Sequence, residues 1–304
     1  MNTNLSQEII KYLEKNLKSA KTNFAAFFRE CKKKYRAMEV SHLYDYILEN
    51  NFDNPKLIEQ TLREINSTKY IQNFNSLLDF IIKNQNPNHK TLAIKVIASY
   101  KNTKAVPILL ECLKDENSNY KVRFAAADAL GKIGDKNAFD TLSLIASNEN
   151  EKSTYVKESA VVALGNLGDK RAINIFSSIL SDKQMFLDKF SYLKERIVEA
   201  ISKLDVANET KAIEILKKSL LENSPCVRIS AIEAFMKLET KESYDLIYER
   251  LRNDESIEVQ KNALVALYNL SDRKILDEVL MGNFNQEVKF YALDLIKEYE
   301  EDNE

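Results

Sequence analysis

Six basic residues recur at a single register of this chain: Lys90, Arg123, Lys157, Lys194, Arg228 and Lys289, with Gln260 in the seventh place. A row of cations along one side of a repeating structure suggests a track for an acidic peptide or a nucleic-acid backbone, because each charge lowers the cost of approach for the next anionic group. The structural alternative is a ladder of ion pairs. Loop acids stand nearby as partners: Asp115 and Glu116 lie in the loop before Arg123, Asp182 before Lys194 and Asp254 before Gln260. A second basic group, Arg29, Lys32, Lys33, Lys34 and Arg36, is interleaved with Phe27, Phe28 and Tyr35. Cations beside aromatics can neutralise phosphates and stack on bases; the competing reading is a solvated helix face above its own core aromatics.

Other chemistry is thinly provided for. Only His42 and His89 are present, and His89 follows Asn86-Pro87, where it begins a helix. Two histidines cannot assemble a multi-histidine metal centre, and carboxylates alone hold iron poorly. Cys31, Cys112 and Cys226 have neither disulfide nor metal-ligand spacing, which points to a reducing compartment. Gly131-Lys132-Ile133-Gly134 reads as a helix end rather than a phosphate cradle. No catalytic, cofactor-binding or metal-binding residue is assigned, and no cofactor is expected.

The elements that must position these residues come from a recurring phrase. Val122-Arg123-x-x-Ala126-x-x-x-Leu130-x-x-Ile133 returns with heads at 89, 122, 156, 193, 227, 259 and 288, at intervals of 33, 34, 37, 34, 32 and 29. Within it, positions 0, +4, +8 and +11 fall on one stripe of a helix. The small residue at +4 lets helices approach closely, while larger residues at +8 and +11 fill the seam. Upstream of the phrases lie second apolar segments at 105–113, 138–146, 172–180, 212–221, 243–251 and 275–280, which predict partner helices. A period of this length, built from helix pairs, predicts an all-α solenoid of about seven repeats. Asn54-Pro55, Asn86-Pro87 and Ser224-Pro225 mark helix starts; Gly134 and Gly168 mark helix ends.

The stretch from Val122 to Ala138, Val-Arg-Phe-Ala-Ala-Ala-Asp-Ala-Leu-Gly-Lys-Ile-Gly-Asp-Lys-Asn-Ala, and its near copy from Val156 to Ala172 resemble the HEAT repeat in its short, phycobilisome-lyase-like form. The resemblance covers roughly residues 68–299 and implies an armadillo-like helical superhelix. Residues 1–67 predict helices near 4–18, 22–37, 41–50 and 55–66 that form a divergent cap, since a terminal repeat needs a polar outer face. Leu57, Thr61 and Ile65 repeat the spacing once more, and 300–304 is an acidic tail.

The resemblance also brings enzymes into view. HEAT-type di-iron deoxyhypusine hydroxylases carry His-Glu pairs at +2 and +3, whereas this chain has pairs such as Phe124-Ala125, Glu158-Ser159 and Glu195-Arg196. HEAT-like DNA glycosylases depend on tryptophan-lined clefts, and this chain contains no Trp. Bilin lyases of the phycobilisome group share the repeat but offer no short signature to check. The resemblance therefore implies a non-enzymatic scaffold or adaptor that binds a protein along its curved face. Nucleic-acid binding through the basic N-terminal region, or a bilin lyase-like or chaperone role, stands as the alternative.

Variable positions +2, +6 and +9, where they face the groove, are the candidate contacts: Asp128, Glu158, Glu195, Glu199, Glu233, Tyr268 and Asp294. Their acidity favours a protein partner over nucleic acid. Residues 1–100 hold 15 basic against 10 acidic residues, so the overall charge of −2 conceals a net −7 in the rest. With no secretory pattern at Met1–Glu8 and no apolar run of membrane-spanning length, a cytoplasmic protein without membrane insertion is expected. Oligomeric state is left open.

Overall fold

The computed structural model describes residues 7–17, 23–50, 53–182, 190–271 and 273–301, and among these it contains 18 α-helices and no strand. The sequence readings that fall on residues 1–6 and on 302–304 of the acidic tail lie outside the described residues. The chain divides into two compact units, Met1–Ile145 with Glu151–Ala163, and Ala146–Asn150 with Leu164–Glu304.

The first unit opens with α1 (Gln7–Leu17), α2 (Phe24–Lys34), α3 (Ala37–Glu49) and α4 (Pro55–Thr68). The helix expected from residue 41 starts at Ala37, because the Glu39 carboxylate accepts the Arg36 backbone N–H at 2.9 Å and secures a first turn that apolar periodicity does not reveal. α3 and α4 form a helix pair, and Leu57, Thr61 and Ile65 of α4 are completely buried. Then come α5 (Asn73–Lys83), α6 (Pro87–Ala98), α7 (Val106–Lys114), α8 (Tyr120–Ile133), α9 (Phe139–Ser147) and α10 (Thr154–Leu167). α3 packs on α5, α4 on α6 and α6 on α8, while α5 meets α6 and α7 meets α8, which is the solenoid arrangement of stacked pairs.

The second unit repeats the scheme with α11 (Ala172–Leu180), α12 (Ser191–Ile201), α13 (Thr210–Ser219), α14 (Pro225–Leu238), α15 (Lys241–Asn253), α16 (Ile257–Ser271), α17 (Lys274–Met281) and α18 (Gln286–Glu301). Its even-numbered helices stack in the order α12, α14, α16, α18. All seven phrases thus fall on the second helix of a pair. Ala93, Ala126, Ala160, Ala231, Ala263 and Ala292 at +4 are fully buried, as is Ile197 in the degenerate copy. A methyl at this position lets the backbones close up, and Leu130, Leu164, Phe235 and Leu267 at +8 fill the seam.

Helix ends follow side-chain chemistry in most places. Asn54 accepts from Leu57 N, and Asn86 from Asn88 N and His89 N, so the Asn-Pro pairs start helices as expected. Ser224 sits at the cap of α14, but its side chain makes no cap bond; Pro225 alone pre-sets that first turn. Gly134 and Gly168 adopt the left-handed conformation, φ 78° and 67°. Lys69, Lys101 and Glu239 do the same at φ 49–51°, although a side chain is disfavoured there.

Candidate partner-binding face

The repeated basic residues occupy +1 of the second helices, one step from the buried head residue, and the side chains of Arg123, Lys194 and Arg228 reach loop residues. Arg123 donates Nε to the Leu113 carbonyl at 2.9 Å and closes a two-pronged pair on Glu151, at 2.8 and 2.6 Å. Both side chains are nearly inaccessible, at 6% and 2% exposure. In the second unit Lys194 reaches Glu222 at 2.6 Å. Arg228 clasps Asp254 through Nε and Nη2, at 2.9 and 2.8 Å, and donates Nη1 to the carbonyls of Glu222 and Asn223.

The partners are not where the sequence placed them. Glu151 and Glu222 come from the loop after the basic residue, one repeat onward, as does Asp254 for Arg228. Asp115 accepts from Asn117 N within its own turn instead. What the preceding loop supplies is main-chain carbonyls. Glu222 and Asp254 therefore each serve twice: the carboxylate takes one basic residue, and the carbonyl takes the next side chain, Arg228 or Gln260. The sequence signal was an acid five residues before a phrase head, present at 151, 188, 222 and 254; Asn283 replaces it one repeat after the neutral Gln260, and Asn117 replaces it one repeat after Lys90.

Glu151 yields a pH prediction. Burial pushes its carboxyl up, but the Arg123 hydrogen bond, the Ser153 backbone N–H and the charges of Arg123 and Lys157 outweigh it and hold it below the ordinary value of 4.5. A depressed carboxyl stabilises the fold above the unfolded-state pKa, and that contribution disappears as pH falls through the folded value. Unfolding followed by circular dichroism across pH 6 to 3 is expected to show wild-type stability falling below about pH 4.5. Glu151→Gln should be less stable at neutral pH and flatter across that window; equal slopes for the two proteins would refute the assignment.

The variable positions show a different chemistry. Asp128 is engaged by Lys132 at 2.7 Å on α8, and Glu158 lies half-buried on α10. On α12, Arg196 is held between Glu195 and Glu199, at 2.8 and 2.7 Å. Burial pushes the Glu199 carboxyl above the usual glutamate value; Arg196 and Lys203 oppose this, while Glu195 and the exposed Glu233 of α14 push it further up. Glu195, Glu199 and Glu233 are thus brought into one electrostatic neighbourhood. Tyr268 is half-buried on α16, and Asp294 on α18 is exposed beside Lys297 at 3.4 Å. Apolar Ile229 and Val265 are half-exposed at the same +2 and +6 registers, and Phe290 is 63% exposed.

The N-terminal basic group is largely answered from within. Lys32 pairs with Glu64 at 2.5 Å, Lys33 with Glu30 at 3.1 Å and Lys34 with Glu8 at 2.9 Å. Lys34 also lies over the rings of Tyr12 and Tyr35. Arg29 and Arg36 are exposed. The interleaved Phe27 and Phe28 are core residues, edge to face with one another, so they offer no stacking platform. His89 is buried at the head of α6. Among the described residues no group of three or more His, Cys, Asp or Glu side chains is placed to hold a metal ion. No described helix is long and apolar enough to cross a membrane.

Comparison with known proteins bears on the architecture. Residues 74–152 match the family model for HEAT repeats, and residues 156–182 match the PBS lyase HEAT-like repeat. No curated protein matches in sequence. Among solved structures, a chain from the complex of CpcE and CpcF of phycocyanin lyase from Nostoc sp. PCC7120 is similar at 20% identity and TM-score 0.50, with 74% of this chain and 87% of that one covered. The archaeal HEAT-like repeats protein from Thermococcus onnurineus NA1 is similar at 17% identity and TM-score 0.41, covering 73% and 94%. Human deoxyhypusine hydroxylase is similar at 16% identity and TM-score 0.39, covering 86% and 96%. The stacked helix pairs, the recurring phrase and the two matched stretches agree: the chain folds as an all-α solenoid that carries HEAT repeats over residues 74–152 and a PBS lyase HEAT-like repeat over residues 156–182.

Proposed function

We propose that the protein is a scaffold that binds another protein along the +2 and +6 positions of its second helices, and that its partner presents basic groups there. The observation that carries this reading is the grouping of Glu195, Glu199 and Glu233: burial raises the Glu199 carboxyl, the other two acids push it further up, and Glu233 makes no ion pair within the described residues. An incoming cation would relieve that repulsion, and the neighbouring Ile229 and Val265 supply apolar area at the same registers. The +1 cations, by contrast, are bound to loop carboxylates and carbonyls in the three repeats described above, which leaves them little capacity for a ligand.

Affinity capture from native lysate at two salt concentrations tests this. Glu199→Lys with Glu233→Lys is expected to reduce recovery of a captured partner by about tenfold or more, equivalent to roughly 1.4 kcal/mol, with the wild-type interaction weakening as salt rises. Undiminished recovery in the double variant would sink the proposal, provided that its melting curve matches the wild type. A lyase-like role has the repeat type in its favour, together with a fold shared with the phycocyanin lyase chain. A bilin-dependent absorbance change on mixing would support that role instead.

A further inference from the structure

The geometry points to a second binding site, in the first unit, for a proline-rich segment of a partner protein. It shares no residue with the acidic face of α12 and α14, and either can fail without the other. Tyr120, at the first position of α8, and Tyr155, in the first turn of α10, stack at 5.9 Å between ring centroids with only 27° between their planes. Aromatic pairs of this kind normally sit in cores or interfaces. Here the two residues are 44% and 59% exposed, and Phe124, one turn along α8, is 37% exposed. Together with Lys152, Ser153 and Thr154 the tyrosines line a groove of about 400 Å³.

The donors and acceptors of this groove select the ligand. Neither phenol hydroxyl has a hydrogen-bond partner within the described residues, and the Lys152 ammonium has no ion pair there. Glu151, the acid next in sequence, is consumed by Arg123 and by the Ser153 backbone N–H. The site is therefore an aromatic floor with a rim that donates. Proline residues bring a flat apolar ring and a backbone with acceptors only. In the polyproline II conformation those carbonyls make no internal hydrogen bonds, and the chain loses little entropy on docking in an aromatic-lined groove. A single-stranded nucleic acid would also stack. It would need a continuous cationic track, however, and residues 101–304 carry 29 basic against 36 acidic residues.

The probe is a blocked, dye-labelled polyproline peptide of about ten residues, titrated with the full chain and read by fluorescence anisotropy. Saturable binding is expected, weakened about tenfold or more by Tyr120→Ala and by Tyr155→Ala, as for aromatic anchors at an interface centre. Tyr155→Phe should weaken it less, since the ring stays and only the donor is lost. Tyr192→Ala removes an exposed tyrosine from α12 and should leave binding unchanged. Absence of saturable binding would overturn the site. So would an equal loss in Tyr192→Ala, or tighter binding of a single-stranded oligonucleotide through Tyr120 and Tyr155. Because both tyrosines are exposed, unaltered thermal melts should accompany each substitution.

Discussion

Replacing Arg228 by alanine is expected to lower the unfolding free energy by about 3 kcal/mol, the lower end of the cost of breaking a buried ion pair. Arg228 and Asp254 have side-chain exposures of 4% and 1%, so solvent can screen neither. The substitution leaves the Asp254 carboxylate with only Arg250 at 3.7 Å and the Ser256 backbone N–H, and also removes the donor to two loop carbonyls, Glu222 and Asn223. Arg228→Lys should fall between the two proteins, since Lys194 shows that an ammonium at this register reaches one carboxylate and forgoes the fork. Urea unfolding monitored by circular dichroism reads the change. A loss below about 1 kcal/mol would put the pair in the class of exposed ion pairs and refute the tie between repeats. Adding Asp254→Asn to Arg228→Ala should recover part of the loss, because the under-compensated buried charge is then gone.

The second large effect concerns Gly165. A Cβ placed there would lie 2.8 Å from both Cα and Cβ of Ala200 on α12, and 3.1 Å from its carbonyl oxygen. Glycine to alanine in a helix interior ordinarily gains about 1 kcal/mol. Overpacking a tight contact costs about 1–3 kcal/mol, and the obstruction here is largely backbone, which cannot rotate away. Gly165→Ala is therefore expected to destabilise despite its better helix propensity, and Gly165→Val to cost roughly 3 kcal/mol, at the upper end of that range. A rise in melting temperature for Gly165→Ala would show that propensity wins and that α10 and α12 have room to part.

Gly165 also shows where the sequence stops being legible. The phrase made the +4 alanines recognisable as close-approach positions because they recur. The glycine at +9 recurs only as Gly131 and reads equally well as a mild helix breaker. Its role depends on which residue of the next second helix lies opposite, and that follows from the packing. The ladder is similar. Its basic half was visible through repetition, but a preceding-loop and a following-loop acid are both near in sequence. Only the stacking offset puts Glu151 against Arg123 and Asp254 against Arg228.

The basic segment 29–36 was ambiguous for a related reason: composition counts charges without saying which are answered. Glu8 and Glu64 lie 26 and 32 residues from the lysines they pair with. Phe27 and Phe28 look like a stacking platform only until the core takes them.

The sequence alone determined the helix pairs, their register and their buried stripe, because 3.6-residue periodicity and side-chain size act locally and recur in every repeat. Tertiary structure decided which charges are spent on holding repeats together and which face outward. That choice depends on distances between residues far apart in sequence, and on burial, which is a property of neighbours rather than of the residue itself. Left-handed turns at Lys69, Lys101 and Glu239 have the same origin: stacking dictates where the chain must turn, whether or not a glycine stands there.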